Sequence, residues 1–104
     1  MPRAEFIKAI ENKTKVRLTF VSKEDNCTLT RLCAPMDFGP SRRAKNKDDR
    51  YHLWDYESDK ANHVLSLLPA QIVNIEFLDM DFNPAEFVSW PPNWLIKRDW
   101  GVYS

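Results

Sequence analysis

The chain has 104 residues, 43% of them hydrophobic and 29% charged, a size and composition that fit one domain with a single modest core. Fifteen Lys and Arg balance fifteen Asp and Glu, which argues against the strong non-specific nucleic-acid affinity that a large excess of phosphate-neutralising bases gives. No stretch approaches the roughly 18 apolar residues of a membrane span, and the N-terminus lacks the apolar core of a signal peptide, so no membrane partner is expected.

Pro2 to Glu11 predicts a short helix, with Phe6, Ile7 and Ile10 at helical spacing and Asn12 as its stop. Thr14 to Ser22 predicts a strand, because Val16, Leu18 and Phe20 alternate with Lys15, Arg17 and Thr19. Lys23 to Asn26 is a polar hairpin connection, and Cys27 to Ala34 the returning strand. Arg31 lies on the same face of that strand as Leu29 and Cys33. It either reaches solvent from a rim position or contacts an anion in a cleft. Pro35 marks an edge or the end of this strand, and Gly39-Pro40 a loop.

Ser41 to Arg50 holds Arg42, Arg43, Lys45, Lys47 and Arg50 against two Asp, with no large apolar side chain. It predicts a solvated loop, with a basic clamp over a phosphate-bearing ligand as the functional alternative. Tyr51 to Tyr56 predicts a central strand, large on both faces: Tyr51 and Leu53 with Asp55 on one, His52, Trp54 and Tyr56 on the other. Glu57 to Asn62 is a turn, His63 to Leu68 a fourth strand, and Ile72 to Leu78 a fifth with Val73, Ile75 and Phe77 inward. Leu68 to Gln71 bends tightly between them at Pro69. In the remainder, Asn83 or Pro84 opens one helical turn, Pro91-Pro92 forbids regular structure, and Leu95 to Arg98 is a short strand or turn. Trp90, Trp94 and Trp100 make this tail too aromatic for a disordered segment, so it is expected to wrap back and cap one end of a barrel.

Cys27 and Cys33, the only cysteines, fall on one side of one strand, about 20 Å apart along it. That is too far for a disulfide between them, and two free thiols suit a cytoplasmic protein.

One helix followed by five strands resembles the WYL domain, an SH3-like or Sm-like small barrel. Ala9-Ile10 precedes Val16-Arg17-Leu18-Thr19-Phe20 as in that family's opening. Thr30-Arg31 with Pro35 resembles its Arg-x-x-x-Pro pattern. Tyr51-His52-Leu53 stands at the Trp-Tyr-Leu tripeptide, with Tyr56 as the following aromatic. Leu65-Ser66-Leu67 with Gln71-Ile72-Val73-Asn74-Ile75 resembles the closing pattern, where Gln71 replaces an Arg. The resemblance implies a mainly β, five-stranded SH3-like barrel with an N-terminal helix and a Trp-rich C-terminal extension. It describes one divergent, stand-alone WYL-like domain over residues 1–104, its core in about 4–78 and its extension in 79–104. WYL domains are thought to sense nucleotide or nucleic-acid ligands through a basic groove. Carried over by position, that implies Arg31 and His52 as ligand contacts, with Gln71 third.

No catalytic constellation accompanies these elements. Two His and two Cys lack metal-ligand spacing, and neither Gly39 nor Gly101 sits in a phosphate-binding loop. A non-enzymatic module without cofactor or metal is therefore expected. One expectation is a binding module for a nucleotide or single-stranded nucleic acid using Arg31, Arg42, Arg43, Lys45, Lys47, Arg50, His52 and Gln71. In that case Tyr51, Trp54 and Tyr56 either stack bases or fill the core. The other is a protein-interaction module that uses an aromatic groove or forms a homo-oligomer through the tryptophan-rich tail.

Overall fold

The computed structural model describes residues 3–23, 26–58 and 63–104. It is mainly β: helix α1 (Arg3–Asn12) precedes strands β1 (Thr14–Ser22), β2 (Cys27–Pro40), β3 (Asp49–Asp55), β4 (Val64–Leu67) and β5 (Ile72–Asp81). The strands form one antiparallel sheet in the order β4-β3-β2-β1-β5. Pro2, Glu24, Asp25 and 59–62, which the sequence places at the helix start and in two turns, lie outside the described residues.

Phe6 and Ile10 of α1 are fully buried, and Ala9 nearly so. A ten-residue helix is marginal alone; burying each large side chain stabilises it by about 1.5–3 kcal/mol. Asn12 is its last residue, and Lys13, at φ 56°, turns the chain out in the left-handed conformation. In β1, Val16, Leu18 and Phe20 are buried while Arg17 is exposed, as the alternation predicts.

Between β4 and β5 the chain passes from one sheet edge to the other through a single 3-10 turn, Pro69–Gln71. Edges of a flat five-stranded sheet would stand about 19 Å apart, and a 3-10 turn rises only about 2 Å per residue. The sheet must therefore curl, and the turn touches both β1 and β3. Among the described residues no ladder joins β4 to β5, so the expected barrel is open rather than closed by hydrogen bonds.

Two sequence expectations are corrected. β2 does not end at Pro35 but runs to Pro40. Its first half pairs with β1 as far as Cys33, and its second half pairs with β3 from Cys33 onward. Pro35 lies where the β1 ladder has stopped, so its missing N–H disrupts nothing on that side. A bulge follows at once, between Pro35 and Asp37. Val73 does not face inward either. Phe20 pairs with Ile72 and Thr19 with Asn74, which leaves Val73 as the extra residue of a bulge and 61% exposed.

The tail joins the same core. Phe82, Phe87, Val88 and Trp100 are buried in one cluster with Phe6, Ile10 and Leu53. Trp100 Nε1 donates to the Ile10 carbonyl at 2.9 Å, and the Phe82 amide to the Lys13 carbonyl at 2.8 Å. The helical turn expected near Asn83 is a 3-10 turn, Pro84–Glu86, capped by the Asn83 side chain, which accepts from the Ala85 amide at 3.0 Å. Leu95 to Arg98 is irregular rather than a strand.

Candidate ligand-binding cleft

The bulge in β2 makes a docking point for the tail. Asp37 is buried there, and its carboxylate accepts from the Phe38 amide at 3.0 Å and from the Leu95 and Ile96 amides at 2.9 Å each. Arg98, whose side chain is wholly buried, donates Nη2 to Asp37 at 3.2 Å and Nη1 to the Met36 carbonyl. Its guanidinium lies 4.3 Å from the Trp94 ring centre and 4.5 Å from that of Trp100. Burial lowers Arg98 from its ordinary value to about 10, opposed by Asp37, so it stays cationic at neutral pH.

Leu95 then lies on Gly39, where φ is +142° and an added Cβ would stand 2.6 Å from Leu95 Cδ1. Gly39→Ala is accordingly expected to cost about 1–3 kcal/mol through backbone strain alone, and to displace Leu95 as well. A lower urea midpoint, with altered fluorescence from the neighbouring indoles, would register both effects.

A cleft of about 710 Å³ opens between this docked tail and the sheet. Asp37, Ser41, Arg42 and Arg43 line it from β2 and the basic loop, His52, Val64 and Ser66 from β3 and β4, and Trp90, Asn93, Trp94 and Leu95 from the tail. Its volume falls in the small-molecule range. His52 and Ser66 are cross-strand partners. His52 Nε2 donates to the Gly39 carbonyl at 2.8 Å, a contact that requires the proton on Nε2. Nδ1 pairs with the Ser66 hydroxyl, also at 2.8 Å. Both nitrogens are thus engaged by the protein, and His52 forms a fixed part of the cleft wall.

The basic loop is irregular and largely exposed over 41–48, as expected, whereas Asp49 and Arg50 already belong to β3, and the loop is tied down. Arg42 Nη2 donates to the Asn93 carbonyl at 2.8 Å. Lys47 turns back onto the Ser41 and Arg42 carbonyls at 3.1 and 3.2 Å.

Of the eight residues singled out from the sequence, Arg42, Arg43 and His52 come together here. The other five do not line the cleft. Arg31 projects from the core face of β2, since its neighbour Leu18 in β1 is buried, and its Nε lies 3.7 Å from Asp55. His52 alternates with the buried Tyr51 and Leu53 and so points to the opposite face. Burial raises the Asp55 carboxyl above its ordinary value, against a hydrogen bond from the Glu57 amide and the attraction of Arg31. Arg50 donates to the Ser66 carbonyl at 3.2 Å. Lys45 is exposed outside the cleft. Gln71 accepts from the Leu68 amide at 3.0 Å, closing the turn before β5.

The strand aromatics are packed. Tyr51 is 1% exposed, edge-on to Phe6 and Phe38. Trp54 stacks between His63 and Phe87, and the Tyr56 hydroxyl donates to Glu86. The indole exposed at the cleft is Trp90. Trp90 lies in the tail, distant from the loop in sequence, so no local pattern marks it as a site residue. Ser66 and Asn93 gave no signal; only the strand register and the docked tail bring them in.

Among the described residues no three His, Cys, Asp or Glu converge as a metal site, and no helix is long and apolar enough to cross a membrane. No protein-family model, curated protein or solved structure matches the chain.

Proposed function

We propose that the protein is a non-enzymatic ligand-sensing module, WYL-like in its layout, whose cleft takes a nucleotide or a short nucleic acid. The observation that carries this reading is the lining of the cleft. Two guanidinium groups, Arg42 and Arg43, share a cavity of about 710 Å³ with a partly exposed indole, Trp90. Guanidinium groups suit phosphate oxygens, and an indole gives a base a stacking surface. Arg42 carries a second duty, since its bond to Asn93 fastens the loop to the tail.

Titration with adenosine 5′-monophosphate at low salt, followed by calorimetry, tests the proposal. Saturable binding is expected, weakened about tenfold or more by Arg43→Ala, because a charge-assisted hydrogen bond contributes about 1.5–3 kcal/mol. Arg43 is exposed, so the variant should fold normally. No heat at millimolar nucleotide would refute the proposal.

A protein-binding reading draws on the same cleft, where Val64, Trp90 and Leu95 are all exposed. Trp94 is half-buried and Trp100 buried, so of the three tail tryptophans only Trp90 is offered to a partner or a second copy. A peptide on that apolar rim would bind with little dependence on salt, unlike a phosphate ligand.

A further inference from the structure

We infer that the cleft takes a single phosphorylated nucleoside and not a run of nucleic acid, an inference that rests on the nucleotide reading above. It follows from counting the cations still open to a ligand. Lys47 turns back onto two loop carbonyls and Arg50 onto the Ser66 carbonyl, neither of them lining the cleft, and Arg31 lies against Asp55 on the other face of the sheet. Lys45 is outside the cleft. Arg42 has one arm on Asn93. Among the described residues that leaves Arg43 as the cleft-lining base with no protein acceptor. The one carboxylate in the lining, Asp37, is matched by Arg98 and by three backbone amides.

Binding a strand requires cations that follow its backbone and a ring for each successive base. Neither continues beyond the cleft. The rings of β3 that would extend a stacking track, Tyr51 and Trp54, are turned into internal packing. What remains is one exposed indole, Trp90, and one unspent guanidinium, Arg43, beside a second that is half-engaged. That set matches one base and one phosphate group, so added nucleotides would find no further partner.

The test is a length series on the intact chain: thymidine, thymidine 5′-monophosphate and oligothymidylates of increasing length, each titrated across a range of salt. The monophosphate is expected to bind at least about tenfold more tightly than thymidine. Lengthening the strand should change affinity by no more than about twofold once the number of strand ends is held constant. The salt slope should stay near the −0.7 or so that one phosphate contact gives on a single strand. Arg43→Ala should lose about tenfold, and Lys45→Ala, at an exposed position outside the cleft, should lose nothing. Affinity that climbs with each added nucleotide, with a slope steepening to about −2 or beyond, would overturn the single-nucleotide inference and leave the nucleotide reading standing. Equal binding of thymidine and its monophosphate would overturn the role of Arg43. Absence of binding by every member of the series and by adenosine 5′-monophosphate would remove the nucleotide reading itself.

Discussion

Asp37→Ala is expected to destabilise the protein by about 3–5 kcal/mol, the range for removing one partner of a buried ion pair. The wild-type carboxylate satisfies three backbone amides and the Arg98 guanidinium at once. Without it, a wholly buried cation loses its counter-charge, and the amides of Leu95 and Ile96 lose their acceptor. In a chain of this size each kcal/mol shifts the melting temperature by about 4–8 °C, so the variant should melt far below the wild type or fail to fold. Asp37→Asn keeps one oxygen acceptor and should fall between the two. Thermal unfolding by circular dichroism gives the order. If Asp37→Ala melted with the wild type, the tail would not be docked through this residue.

Trp100→Ala should cost about as much, roughly 3–5 kcal/mol for truncating a buried aromatic side chain. Trp100 is 3% exposed, packs edge-on to Phe82 and Phe87, bounds one side of Arg98 and donates to the Ile10 carbonyl. It therefore links the tail to the C-terminal end of α1. Trp100→Phe retains a ring but loses the donor and part of the volume, and is expected to lose less. Urea unfolding of the two variants separates packing from hydrogen bonding. If both left the midpoint unmoved, the tail would be an appendage and the cleft would lack a fixed wall.

These two residues show where the sequence was informative and where it was not. Local periodicity revealed α1 and β1, because Phe6, Ile10, Val16, Leu18 and Phe20 repeat with the spacing of the faces they bury. Asp37 was hidden by its setting. Pro35, Gly39 and Pro40 punctuate the segment as a loop, and only the change of partner strand from β1 to β3 lets β2 carry them. Its counterpart Arg98 is 61 residues away, and no local pattern joins the two.

The candidate site was legible in part for the same reason. Loop composition pointed to Arg42 and Arg43, and strand alternation to His52. Alternation also put Arg31 on an otherwise apolar face, but its partner Asp55 comes from the pairing of Cys33 with Asp55, a register the sequence does not state. Gln71 was weighed as a ligand contact by position, and the short turn before β5 uses its side-chain oxygen instead.

Nucleotide binding is proposed for the cleft between the docked tail and the β3–β4 edge. Amide and indole NMR spectra, recorded while adenosine 5′-monophosphate is added to the labelled protein, test it residue by residue. Saturable shifts are expected for the backbone amides of Arg42, Arg43, Ser66 and Asn93 and for the Trp90 indole. The Trp100 indole, engaged by Ile10, should stay still. Shifts gathered instead around Arg31 and Asp55, or no shifts at millimolar nucleotide, would contradict the claim.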